Sequence, residues 1–510
     1  MSVRTGPARR FQRAALAALL LLCACSAGLA VAAAPAGAAT LVTGSGSSYV
    51  ALAMDDWVRS SQVRGIRVTY NGNLGSPGGV DQYSSRQVDF AGTEAEVRSL
   101  MNGDPDLPRG YQYVPDVAGA VSIMYNVRDA AGNKINWLHL SQRTVSKIFT
   151  GAISRWSHPE ISADNRGVRL PDQPIKVVYR TGRSGTTALF YDFVREAARD
   201  VYEPWRERHR LPDRRIVELP ERGPSGSFAP NIVGMTTSDA MAAYVASRNG
   251  EWSIGYDEFG YAIKHNAPAA YIRNGAGKWV QPYAENIAEA LKDADLRADL
   301  SQELSGVYTS RRAKAYPISA YSYMMVQCHA GRGRDTCRGP YSDGGKADTL
   351  AKFMRFVACD GQVKMARIGY SPLPPNLSQE MVNSIARMTG RTAEQLSRGN
   401  CANPTFSGGL GEGAKAPDDP FDRLNGGNGP GGNGPSGGPS AGAGATAGAG
   451  AGAGGPGTTG PGTGTGQSRG ARPVGFNGPA SPGLGALPVL VLLLTLAVPP
   501  AVIAAVRRRG

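Results

Sequence analysis

The run Tyr179-Arg-Thr-Gly-Arg-Ser-Gly-Thr186 passes directly into a helical pattern, Thr187-Ala-Leu-Phe-Tyr-Asp-Phe-Val194. Small residues let the backbone approach a ligand. Hydroxyls and unpaired amide N–H groups at the helix start point toward it, and Arg180 or Arg183 adds a guanidinium able to bind in two places. The chemistry this supports is capture of an oxyanion. Two further segments have the same character. Gly44-Ser-Gly-Ser-Ser-Tyr49 precedes an apolar helix pattern through Leu52, Met54, Trp57 and Val58, and Gly72-Asn-Leu-Gly-Ser-Pro-Gly-Gly-Val80 precedes a short one. Any one of these would be read as a turn. Three hydroxyl-bearing, glycine-rich helix starts point to convergence on one ligand.

Other anion motifs fit less well. Tyr49 replaces the last glycine of a dinucleotide fingerprint, and the stretch Gly182 to Thr186 lacks the final glycine of a nucleophile elbow. Gly339 to Lys346 departs from a P-loop, because a glycine intrudes and Ala347 stands where a hydroxyl is needed.

The elements that must position these loops alternate. β-rich runs occur at Ile66–Tyr70, Val117–Tyr125, Ile175–Tyr179 and Tyr321–Val326, and amphipathic helix patterns at Ser238–Ser247, Asn286–Asp295 and Ala347–Met365. This is α/β architecture. In such folds ligands sit beyond the carboxyl ends of strands. Tyr70 leads into the second glycine loop and Tyr179 into the third, where that rule places a cleft.

The chain of 510 residues must first be trimmed. Arg4, Arg9, Arg10 and Arg13 precede an apolar run from Ala14 to Leu22 and small residues through Ala39, a secretory signal with cleavage expected after Ala38. Residues 1–38 are therefore the signal peptide. A lipoprotein reading of Leu22-Cys-Ala-Cys25 is the alternative. At the other end, Leu484–Val506 is uncharged, mostly apolar and of membrane-spanning length, and Arg507-Arg508-Arg509 follows it. One transmembrane helix is expected over 484–506, with 507–510 as a cytoplasmic tail and the folded part outside, anchored to the outer face of the membrane. Residues 402–483, dominated by Gly, Pro, Ala, Ser and Thr, read as a disordered linker with a reach of about 50 Å.

The formal net charge is +14. Part of it lies in the signal and the final arginines, and no Lys/Arg run interleaved with aromatics occurs in the folded part, so a nucleic-acid partner is not expected. Outside the signal there are four cysteines, Cys328, Cys337, Cys359 and Cys401. In an exported chain these form two disulfides, with three possible connectivities. Cys328–Cys337 and Cys359–Cys401 are the expected pairs. With no Cys-x-x-Cys and only scattered histidines, neither a metal nor a cofactor is expected.

Six blocks then occur in one order. They are Gly44–Tyr49 with Trp57, Tyr70–Val80, Val88-Asp-Phe-Ala-Gly-Thr-Glu94, Arg180–Thr186, Ile254-Gly-Tyr256 and Ala315-Tyr-Pro-Ile318. Over about Thr43 to Leu377 this order and spacing resemble the phosphate-binding subunit of bacterial ABC phosphate importers. The resemblance implies a two-lobed periplasmic-binding-protein fold of type II over residues 39–401. One lobe would comprise about 40–117 and 317–401, the other about 118–316. It implies binding, without catalysis, of inorganic phosphate by Ser48, Tyr49, Ser76, Glu94, Arg180, Ser184, Gly185 and Thr186, in a monomer that serves ABC permease subunits in the membrane. Glu94 stands where the family usually has Asp, and Gly182 where many members have an Asp that braces the arginine. A surface-anchored sensor or interaction protein on the same fold is the alternative function. A surface phosphatase using Ser184 is a further one.

Overall fold

The computed structural model describes residues 40–421 except 102–106, 108, 214, 222–225 and 328–342. The expected signal peptide, membrane span and cytoplasmic tail lie outside the described residues, as do Cys328 and Cys337. Among the described residues no helix is long and apolar enough to cross a membrane.

The core is a mixed sheet of eight strands: β1 (Val42–Gly46), β2 (Val68–Asn71), β3 (Phe90–Thr93), β4 (Tyr111–Asn126), β5 (Lys176–Arg180), β6 (Ile232–Met235), β7 (Ser253–Glu258) and β8 (Ser319–Gln327). Their order is β2-β1-β3-β8-β4-β7-β5-β6. The long strand β4 joins two halves. Tyr111–Ala120 pair antiparallel with β8, and Val121–Asn126 pair antiparallel with β7. On one side β1, β2 and β3 run parallel to each other, and on the other β5, β6 and β7 do. Where Ser322 and Tyr323 face Val117 and Pro115, the register skips Asp116. Pro115 has no N–H to give the ladder, and a bulge absorbs the extra residue.

The parallel strands lead into helices whose starts matter below: α1 (Ala51–Gln62), α2 (Gly75–Ser84), α3 (Gly185–Ala197) and α4 (Ser238–Ala246). In α1 the buried residues Ala53, Met54, Trp57 and Ser61 fall on one stripe, and Trp57 Nε1 donates to the Gly361 carbonyl at 2.8 Å. The first ten residues of α3 are all buried. Phe190 stacks on Tyr256 with ring centroids 4.2 Å apart, and Thr187 Oγ1 lies 2.8 Å from the Tyr256 hydroxyl. That packing fixes the helix start that carries Gly185 and Thr186.

Glycine permits one close approach that no other residue allows. A Cβ on Gly79 in α2 would lie 2.3 Å from Gly46 Cα, and Gly46 itself has φ +130°. The end of β1 and the start of α2 therefore touch backbone to backbone.

Two expectations are corrected. The helix pattern over Ala347–Met365 forms α5 (Gly344–Ala358) only, because the chain turns at Cys359 into two short 3₁₀ turns. Residues 402–421, expected to belong to the linker, pack against the domain instead. They leave from the Cys359–Cys401 disulfide. Asn403 Nδ2 donates to the Leu373 carbonyl and to Ser378 Oγ, both at 2.9 Å. Glu285 N donates to the Ala414 carbonyl, and Ala416 N to Glu285 Oε1. At the far end His139 Nε2 lies 2.6 Å from Asp419 Oδ2, and Phe421 stacks on Trp137 at 4.9 Å. Asp419 and Phe421 thus seat the far end of this strap.

Candidate functional site

Segments distant in sequence meet at the carboxyl ends of the parallel strands. Ser48 follows β1, Glu94 follows β3, Arg180 ends β5, and α2, α3 and α4 begin there. Ser48, Ser76, Glu94, Arg180, Ser184, Thr186 and Ser238 are each no more than 5% exposed. Burying an arginine and a glutamate together requires that both be well bonded.

Glu94 is. Ser76 Oγ donates to its Oε2, and Thr186 Oγ1 donates to its Oε1 at 2.9 Å. Both hydroxyls stand in the first turns of helices, α2 and α3, whose N-termini favour negative charge. Gly185 makes room, since a Cβ there would lie 2.6 Å from Ser76 Oγ and 2.7 Å from Glu94 Cδ. Ser184 is the N-cap of α3, its Oγ accepting from Thr187 N at 3.3 Å.

Arg180 forms the second centre. Its Nη1 donates to Ser48 Oγ at 3.0 Å and to Ser238 Oγ at 2.7 Å, and its Nη2 donates to the Thr236 carbonyl at 3.2 Å. Its Nε has no hydrogen-bond partner among the described residues. Ser48 Oγ also accepts from Ser238 Oγ at 2.7 Å, which leaves its own proton to donate. Asp257 Oδ2 lies 3.9 Å from Arg180 Nη1. This acid belongs to the end of β7.

Of the eight residues named from sequence, seven gather here and one does not. Tyr49 turns into the core, where its ring is fully buried and its hydroxyl donates to the Ala320 carbonyl at 3.4 Å. Its N–H is taken by Ser47 Oγ at 3.0 Å, and burial pushes its hydroxyl pKa well up. Arg183, the other guanidinium of the third loop, points outward to the Leu100 carbonyl and to Asp81, 3.4 Å away. Ser238, Asp257 and Tyr261, whose hydroxyl donates to the Ser48 carbonyl at 3.0 Å, were not expected. A signal for the first existed, because Thr237-Ser238-Asp239 is another hydroxyl-bearing helix start, although without glycine.

The buried acids set a pH dependence. Burial raises Asp257 from 3.8 to about 6, with Arg180 opposing the rise, and burial also pushes Glu258 well up. The folded state holds the Asp257 proton more tightly than the unfolded chain does. Its contribution to stability is therefore fully present below 3.8 and lost as pH rises through about 6. Asp257→Asn should flatten that part of the curve in denaturant titrations run between these values. An unchanged slope would mean that another group carries the proton.

Residues 32–361 match the family model of the PBP superfamily domain. The phosphate-binding protein PstS of Xylella fastidiosa (strain 9a5c) is 27% identical over 343 residues, covering 67% of this chain and 83% of that protein. Phosphate-binding protein PstS 2 of Mycobacterium tuberculosis (strain ATCC 25618 / H37Rv) is 26% identical over 357 residues, covering 67% and 85%. Among solved structures, a DING protein crystal structure is 18% identical, with a TM-score of 0.49 and coverage of 74% of this chain and 100% of that one. The family model spans well over half of the chain, and its region contains every residue of the two centres just described: the chain belongs to the PBP superfamily.

Proposed function

We propose that this protein is an extracytoplasmic receptor that captures inorganic phosphate and delivers it to an ABC importer, without catalysing a reaction. One observation carries the reading: hydroxyls from the starts of α2 and α3 meet on the buried Glu94 carboxylate, and the buried guanidinium of Arg180 gathers Ser48 and Ser238, each centre drawing on both halves of the sheet. The relatives named phosphate-binding proteins support it. Ser48, Ser76, Ser184, Gly185, Thr186 and Arg180 are the proposed phosphate-binding residues, with Ser238 added from the geometry and Tyr49 withdrawn. The two halves act as lobes that hinge through β4, and Leu484–Val506 holds the receptor at the outer face of the membrane beside its permease.

Glu94 supplies selectivity in this scheme. Phosphate near neutral pH keeps a proton that it can donate to a carboxylate, whereas sulfate has none and would bring lone pairs against a buried negative charge. Calorimetry on the full-length protein, purified and stripped of ligand, should give tight binding of phosphate and arsenate and none of sulfate. Glu94→Gln should let sulfate compete. Binding of none of the three anions by a folded protein would refute the receptor reading, and unchanged selectivity in Glu94→Gln would refute the role given to Glu94.

A further inference from the structure

Each hydroxyl carries one proton, so a hydroxyl that donates to Glu94 has none left for another acceptor. Ser76, on the half built from β1, β2 and β3, and Thr186, on the half built from β5, β6 and β7, both donate to Glu94. One carboxylate thereby ties the two halves together. It lies against the Gly185 backbone at a distance no side chain would permit, between two helix starts that favour an anion. The backbone beneath it is pinned. Gln302 Nε2 donates to the Glu94 carbonyl at 3.1 Å and to the Tyr321 carbonyl at 2.9 Å, while Gln302 Oε1 accepts from Tyr321 N at 2.8 Å. With that backbone held, turning the Glu94 side chain away releases the two hydroxyls while the halves stay together.

We infer that Glu94 is an internal anion: its carboxylate clasps the two halves through Ser76 and Thr186, and a free oxyanion gains those hydroxyls only by turning it aside, to the edge of the site where it accepts the proton of phosphate. For the identity of that oxyanion the inference rests on the phosphate reading above. The clasp itself does not. Its charge is attached to the chain, so it loses none of the translational and rotational freedom that a diffusing anion must give up. The receptor is thereby set to respond at higher phosphate concentration than a site of the same hydroxyls without a competing carboxylate. The length of the side chain decides the matter. An aspartate, one methylene shorter on the same pinned backbone, keeps the charge but cannot reach both hydroxyls.

Two measurements on the full-length protein test this. In phosphate-free buffer, amide hydrogen exchange in the first turns of α2 and α3 should be faster in Glu94→Asp than in the parent, because the halves are no longer tied. By calorimetry, Glu94→Asp should bind inorganic phosphate at least about tenfold more tightly, since the two hydroxyls no longer have to be taken from another charged acceptor. Glu94→Ala provides a second release of the clasp should the aspartate variant fold poorly, and its exchange should rise likewise. Unchanged exchange in both variants, or phosphate affinity in Glu94→Asp no higher than in the parent, would overturn the inference. Faster exchange with no phosphate binding by the parent or either variant would uphold the clasp and bring down the phosphate reading instead.

Discussion

Arg180→Ala should reduce phosphate affinity by at least about tenfold and as much as a hundredfold, the loss expected when a charge-assisted hydrogen bond is removed from a buried site. The effect is large because the guanidinium organises the cleft as well as charging it. Its Nη1 holds Ser48 and Ser238, which come from opposite halves of the sheet, and its Nη2 holds the Thr236 carbonyl. Removing it also leaves Asp257 buried without the cation that opposes its raised pKa, so the carboxyl would take up its proton at still higher pH. A stability loss should accompany the binding loss and be smallest in acid, where Asp257 is neutral. Arg180→Lys separates the contributions. It restores a charge but not the planar fork, so stability near neutral pH should recover further than affinity. Calorimetry combined with thermal melts at two pH values would decide it. Full affinity in a folded Arg180→Ala protein would exclude this arginine from the site.

Loss of the Cys359–Cys401 disulfide should be the most destabilising change away from the cleft. The bridge spans 42 positions in sequence, and a closed loop of that size is worth about 4 kcal/mol on the chain-entropy account. Cys359 is fully buried at the end of α5 and Cys401 is 5% exposed, so alanine at either position also leaves a small apolar gap. Cys359→Ala/Cys401→Ala should therefore lower unfolding free energy by about 2–4 kcal/mol. The parent under reducing conditions should show a comparable loss. A double variant as stable as the parent would mean that the packing of Asn403 and Thr405 against Leu373 holds the segment without covalent help.

The parts of the site legible in the sequence were those with a local signature. Glycine and hydroxyl residues at a strand–helix junction must lie close to one another whatever the rest of the chain does, and Ser48, Ser76 and Ser184–Thr186 were found that way. Arg180 was found because it stands in such a loop. Ser238 and Asp257 were not, since they reach Arg180 only through the parallel pairing of β5 with β6 and β7, a contact between segments more than fifty residues apart. Two adjacent acids, Asp257-Glu258, at the end of the strand-like run from Ser253 were a usable signal. Burial of both is what marks them, and a sequence shows acid identity without showing burial. Tyr49 failed for the opposite reason. Its position at a helix start was correct, but a large ring beside Gly119 fills core space better than it lines a polar cleft. The strap is hidden by the Gly, Pro, Ala, Ser and Thr that dominate the chain from residue 402 onward. Asp419 and Phe421 are two residues in a long glycine- and proline-rich stretch, yet they find His139, Trp137 and, through the ring of Phe421, Arg166 at 5.0 Å.

The strap determines where the domain bears a load. It begins at a disulfide beside α5 and is next held at Glu285, before Asp419 and Phe421 seat against His139 and Trp137. A pull arriving along the chain beyond Phe421 meets that stacked ring and the His139–Asp419 hydrogen bond first, then Glu285, and last a covalent bond. These contacts take a pull in shear along the strap, one after another. The chain that leaves at Phe421 is thus fastened to the domain at three successive points along the strap.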